Sequence, residues 1–257
     1  MHNNNQEGNP SIIEQVRDAV RHMAEAEPGL LNTPLQIKIR KLPPEVAIGV
    51  NTDKDYPIYK GKEGILEAQF LTGKGQAFSP APVDFDGELR DVLALELNGS
   101  DEAAVSNRGV FLAAVNALCA HLGIAEKTVH CKDENLRECA KDLVAKIHAE
   151  YPTDTRIALI GCQPRMIEML APSYNLRVID LDPENIGKPF SGVVIEGEDR
   201  TDEALEWCDL ALITGSTLAN GTIDRFIGLK CKAVFFGITI AGAAALLNLP
   251  RFCARGQ

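Results

Sequence analysis

Positive charge and aromatic residues are both scarce in this 257-residue chain. Lys and Arg number 26 against 36 Asp and Glu, a formal charge of -10. The chain therefore offers no general basic stripe for a phosphate backbone, and nucleic acid is not an expected partner. Aromatic residues make up only 5%, too few for a surface on which bases or sugars stack. No uninterrupted apolar run approaches the roughly eighteen residues of a membrane span, so none is expected. The polar start, Met1 to Asn9, has neither the cationic nor the apolar segment of a secretory signal. The seven cysteines, Cys119, Cys131, Cys139, Cys162, Cys208, Cys231 and Cys253, include no CxxC pair. They read as reduced, small, largely buried side chains of a cytoplasmic protein. His130-Cys131 and Cys139 match no standard zinc spacing. A P-loop, a G-x-S-x-G elbow and a complete G-x-G-x-x-G fingerprint are also missing.

What is present is an ordinary globular composition, 45% apolar and 24% charged, in a chain long enough to bury a core without disulfides. Ser11-Ile12-Ile13-Glu14 has the form of a capping box. Ile12, Ile13, Val16, Val20 and Met23 then repeat at helical spacing until Glu27-Pro28-Gly29. Leu35, Ile37 and Ile39 alternate as in a strand, and Ala47–Val50 and Ile65–Leu71 are further strand candidates. Ala77–Gly87, with Pro80 and Pro82, reads as a loop. Helical spacing returns at Leu89, Val92, Leu93 and Leu97, in the apolar stretch Val110–Leu122, and from about Asp133 to Ala149. This half predicts an antiparallel sheet with helices on one side.

Beyond Tyr151-Pro152 the grammar becomes alternating strand and helix. Short apolar strands are expected at 156–161, 176–180, 192–195, 209–215 and 232–237, with a last one at Arg251–Cys253. Helices are expected through Met166 and Leu170, at Thr201–Trp207 and near Thr222–Leu229. Continuous apolar strands of this kind suit a parallel sheet buried on both faces. The chain thus divides into a polar leader (1–10), an α+β domain (11–152) and a Rossmann-like α/β domain (153–257).

Ligands of such sheets bind beyond the carboxyl ends of the strands. Gly161 allows a tight turn there, and Asp180 follows at a spacing near that of a ribose-binding acid. The sharpest feature is Thr214-Gly215-Ser216-Thr217 with Asn220-Gly221-Thr222, a hydroxyl-rich loop at the expected start of a helix, which favours an anion. The same residues would also serve as a plain cap and turn. Asn116 is a lone amide in an apolar helix, with Arg108 two turns earlier on the same face. Both could look into one groove, or be a satisfied core amide and a surface cation. Local charge is uneven. Asp180 to Asp209 holds ten acids against Lys188 and Arg200, whereas Arg225 to the end holds five bases and no acid. A small anion is therefore compatible with the acidic whole.

The segment around ITGSTLANGTIDRFIG, within Leu210–Leu229, resembles a family of unknown function that carries a heavy-metal chelation label. So do the Gly161–Pro164 turn and the acid at Asp180, and Gly237-Ile-Thr239 corresponds to that family's Gly-x-Ser-Thr stretch. Gly73–Leu93 and the Arg108–Asn116 helix are similar to its companion domain. The resemblance implies an enolase N-terminal-like α+β domain packed on a Rossmann-like domain, with a site between them and Thr239 among its residues. The expectation is a cleft binding a small anionic ligand, or a metal ion or metal complex, in a protein that could form homo-oligomers. The alternatives are an enzyme with a nucleotide-type cofactor, its ribose on Asp180, and a non-catalytic accessory subunit.

Overall fold

The computed structural model describes residues 10–32, 37–50, 55–61 and 63–257. Helix α1 (Ile12–Ala26) buries Ile12, Ile13, Val16, Val20 and Ala24 on one face, as their spacing predicts. Its start differs from the expected capping box. Ser11 makes no side-chain cap bond, and the Ile12 N–H is instead taken, at 2.8 Å, by the carboxylate of Asp224. Glu14 is drawn away to accept from Asn98. Asp224→Ala is therefore expected to cost about 1 kcal/mol, the usual worth of a cap, in a denaturant titration. An unchanged midpoint would show that α1 needs no acceptor there.

After α2 (Pro28–Asn32), strand β1 (Ile37–Leu42) leads into helix α3 (Pro44–Ile48). This corrects the expected strand at Ala47–Val50. Pro44 opens the first turn, where its missing N–H costs nothing, and Gly49 closes it at φ +82°. Leu35 lies outside the described residues. Strands β2 (Gly64–Phe70) and β3 (Gly73–Ser79) form a hairpin, and β4 (Phe85–Gly87) pairs with β1, giving the antiparallel order β3-β2-β1-β4. Parts of the stretch expected as a loop, Ala77–Ser79 and Phe85–Gly87, are thus strand. Glycine in β3 serves packing rather than turning. A Cβ on Gly75 would lie 2.1 Å from the Ala117 backbone nitrogen, so only a bare backbone lets the neighbouring helix sit this close.

That helix follows α4 (Leu89–Leu93) and is the longest in the protein: α5, Glu102–His121, capped by Asp101 accepting from the Ala104 N–H. By length and composition α5 could cross a membrane, but it is mostly buried inside the protein. It packs on β2 and β3 from one side and on later helices from the other. Helix α6 (Asn135–Glu150) completes the first part.

The second part is the alternating one: β5 (Arg156–Ile160), α7 (Pro164–Leu170), β6 (Asn175–Ile179), β7 (Pro189–Phe190), β8 (Val193–Glu196), α8 (Thr201–Trp207), β9 (Leu210–Thr214), α9 (Ser216–Asn220), β10 (Lys232–Phe236), α10 (Ala241–Leu247) and β11 (Arg251–Phe252). The seven strands lie in the order β11-β10-β9-β5-β6-β8-β7, parallel except for the β7–β8 edge. From β5 the chain winds outward through β6 and β8, then returns to β9 and runs the other way. The switch point is therefore the seam between β5 and β9, where such sheets open a crevice at their carboxyl ends.

One face of this sheet (Ala158, Ile160, Ala211, Ile213, Phe235) shares a continuous core with α1, α5, β2 and β3. The other face (Ile157, Leu159, Val178, Leu212) packs beneath α6 and α7. The two sheets are therefore joined through α5 rather than through a linker.

Candidate functional site

At the switch point the turns after β5 and β9 touch. Gly161 has φ +99°, and a Cβ there would meet the Thr214 methyl at 2.8 Å. Above this seam lies a cleft in two lobes that share Pro57, Glu63, Phe78, Gln163, Thr214 and Ser216 as lining. The larger lobe, about 200 Å³, is walled by the ends of β5 and β6 and by α9. The smaller, about 100 Å³, lies over the ends of β9 and β10 against α6.

Seven of the sequence-predicted residues meet at the larger lobe: Gly161, Asp180, Thr214, Ser216, Thr217, Asn220 and Thr222. Gly215 and Thr239 line the smaller one. The loop nevertheless differs from expectation. The helix begins at Ser216 rather than near Thr222, and α9 is only five residues long. Much of its hydroxyl chemistry is spent on the chain itself. Thr217 donates to the Thr214 carbonyl (2.8 Å), Thr222 to the Thr217 carbonyl (3.4 Å), and the Thr239 hydroxyl accepts from the Phe78 N–H (3.0 Å).

The remaining predicted residues, Gly221, Arg108 and Asn116, stand behind the cleft. Arg108 is 2% exposed and donates to the carbonyls of Ala219, Leu97 and Gly99 at 2.8–2.9 Å. Burial pulls its pKa below the usual arginine value. Gly221, at φ +74°, gives this guanidinium room, since a Cβ there would sit 3.1 Å from Arg108 Cζ. Asn116 donates to the carbonyls of Gln76 (2.8 Å), Ile238 (3.0 Å) and Thr239 (3.2 Å), and accepts from the Gly242 N–H (2.7 Å). This corrects the shared-groove expectation: Asn116 is the satisfied core amide, while Arg108 is buried rather than a surface cation, tied through Nε and Nη1 with its Nη2 left without a partner.

The cleft also gathers residues that sequence reasoning missed. Among the described residues, Glu63, Asp182 and Glu198 join Asp180 around the larger lobe, against one guanidinium, that of Arg225. Arg225 is already committed, bonding Asp202 at 2.9 Å and pairing with Glu198 at 3.5 Å. The Asp180 carboxylate accepts the backbone N–H of Cys162 (2.5 Å) and of Asp182 (2.7 Å). Burial, and then the charge of Asp180, pushes the Glu63 carboxyl up to about 7. The smaller lobe is lined by Cys131, Cys139 and Cys253 with His130. Glu63, Glu198 and Cys253 carry no local signal because they arrive from distant segments, whereas Asp182 lies two residues past Asp180, and His130, Cys131 and Cys139 stand near one another in the sequence without matching a zinc spacing.

A mixed α/β protein with a parallel-rich sheet, an antiparallel sheet and a cleft at the switch point is the class this geometry defines. Residues 144–250 match the model of the DUF364 family, whose description is "Putative heavy-metal chelation". Among solved structures, the chain is similar to a DUF364-family protein with unknown function from Pyrococcus horikoshii, at 15% identity and a TM-score of 0.51, covering 89% of this chain and 79% of that one. A second DUF364-family protein with unknown function, from Desulfitobacterium hafniense, gives 15% identity and a TM-score of 0.47, over 72% and 71%. No curated protein matches the chain.

Proposed function

We propose that the protein binds a small cationic ligand, a metal ion or a complex of one, in the larger lobe of the cleft. The observation that carries this reading is the charge of the lobe. Among the described residues, Glu63, Asp180, Asp182 and Glu198 line it, and the one guanidinium among them, Arg225, is already paired with Asp202 and Glu198. An anion would meet this field unfavourably, while a cation would relieve it. The sequence expectation of an anion therefore changes sign, because the short α9 uses its hydroxyls internally and the acids arrive from distant segments. The chelation label of the matched family agrees with a cationic cargo.

A nucleotide-type cofactor with its ribose on Asp180 is served less well. Both oxygens of that carboxylate already hold backbone N–H groups, and Cys162-Gln163-Pro164 stands where a glycine-rich turn would cradle phosphates.

Manganese(II) is the suitable probe, because carboxylate sites favour such ions. Calorimetric titration near pH 7 in two buffers of different ionisation enthalpy is expected to show binding with proton release, as the ion draws the Glu63 proton off. Glu63→Gln and Asp180→Asn should each weaken binding at least about tenfold. Failure of the wild type to bind at millimolar ion, or equal binding by both variants, would overturn the reading.

A further inference from the structure

The two lobes of the cleft differ in chemistry but share a wall. The larger is acidic. The smaller, about 100 Å³, is faced largely by hydrocarbon, from Ile48, Ile58, Leu136, Met166, Phe236 and Ile238. All of these but Met166 are buried, so the apolar wall is part of the packed core and already formed. Two polar groups on that wall are engaged elsewhere. Arg165 pairs with Asp55 and, at 2.9 Å, with Glu168. His130 donates from Nδ1 to the Cys131 carbonyl (2.6 Å) and sets its ring edge-on to Phe78.

Glu63 stands where the lobes meet, since it lines both. Its carboxyl is buried there. Among the described residues it accepts no hydrogen bond and pairs with no cation, and the charge acting on it is that of Asp180.

We propose that the cation of the larger lobe is the head of an organic primary ammonium ion, whose compact apolar body of roughly four to six carbons fills the smaller lobe. The assignment rests on the larger lobe being a cation site, and adds what the cation is attached to.

The pairing of the lobes selects this class. An apolar cavity of this order stays dry and takes up hydrocarbon, and one of about 150 Å³ admits benzene. A bare ion on the acids would leave the lobe beside it empty. A neutral hydrocarbon would fill that lobe and leave Glu63 without a partner. An anion with the same body would be repelled by Glu63 and Asp180. One molecule carrying both parts suits both lobes.

The hydrogen-bonding capacity of the site narrows the head group. A primary ammonium has several N–H donors to direct. Glu63 receives none from the chain, and Asp180, whose oxygens each accept one backbone N–H, keeps lone pairs to spare. A quaternary ammonium has no N–H and is instead recognised by a cage of aromatic rings. Among the described residues, Phe78 and Phe226 are the only aromatic side chains on the larger lobe, too few for such a cage.

The test is a calorimetric titration of the full chain near pH 7 with the unbranched series from methylammonium to pentylammonium. Affinity should rise about fourfold with each methylene that enters the smaller lobe, and level off once the lobe is full. Pentylammonium should bind at least about tenfold more tightly than 1-pentanol or pentyltrimethylammonium. Ala140, buried on α6, lines the smaller lobe and not the larger. Ala140→Leu puts a bulkier hydrocarbon side chain into that space, so it should abolish the rise with chain length and leave manganese binding as in the wild type. Should this variant fold poorly, the series and its two controls on the wild type decide the matter. Manganese binding with no rise along the series would overturn the organic body and leave the carboxylate site standing. Failure of both manganese and the ammonium ions to bind would overturn the two readings together. Binding of 1-pentanol as tight as that of pentylammonium, or an undiminished rise in folded Ala140→Leu, would also overturn the proposal.

Discussion

Asn116→Ala is expected to cost about 3–5 kcal/mol of folding stability, a large share of what a domain of this kind possesses. The residue is 1% exposed, and its amide satisfies the carbonyls of Gln76, Ile238 and Thr239 and the N–H of Gly242. Truncation strands these groups where water cannot replace the lost partner, and each stranded group costs about 1–3 kcal/mol. The sum falls short of a simple total because some carbonyls keep a second bond. The three elements involved, β3, α5 and the turn into α10, also carry Phe78 and Thr239 on the wall of the smaller lobe. Guanidinium denaturation should show the loss, and melting should fall by about 10 °C or more. A loss below about 1 kcal/mol would mean that these ties are dispensable.

Glu63→Gln should act in the opposite direction, and only at high pH. The folded state holds the Glu63 carboxyl at about 7 against an ordinary value of 4.5, so the unfolded chain gives up this proton more readily. Below about 4.5 the residue is neutral in both states and contributes no penalty. As pH rises through that range the folded state loses stability, and above about 7 the penalty is complete, at most about 3 kcal/mol. Glutamine removes the charge and with it the penalty. The variant should therefore match wild type at pH 4 and exceed it by up to about 3 kcal/mol at pH 8. Equal stability of the two proteins at both pH values would show that Glu63 is not held under strain. A gain in stability coupled to a loss of manganese binding is the pattern of a residue kept for its function.

The parallel sheet was the most legible part of the fold. Strands such as Ile157–Ile160 and Leu210–Ile213 are buried on both faces and so read as unbroken apolar runs. Strand β3 was hidden because Gly73 and Gly75, which look like turn residues, are the contact surface for α5. Helix α3 was misread because five residues are too few to separate helical from strand periodicity. At the site, Gly161, Asp180 and the Thr214–Thr222 segment were readable because β5, β6 and β9 deliver them to one edge by topology alone. The sign of the field was not readable. It depends on Glu63 and Glu198, and the thiols on Cys131, Cys139 and Cys253, all brought together only by tertiary folding.

The position of α5 has a consequence for synthesis. Its apolar surface is finally covered by β3, made earlier, and by α9 and α10, which are made only well after it. Ile12 likewise waits for Asp224, its partner 212 positions away. Contacts this distant in sequence slow folding and leave intermediates exposed. Until α9 and α10 are made, the nascent chain therefore carries a helix of membrane-spanning length and apolarity with one side uncovered. During that interval the growing chain is a natural client for a chaperone.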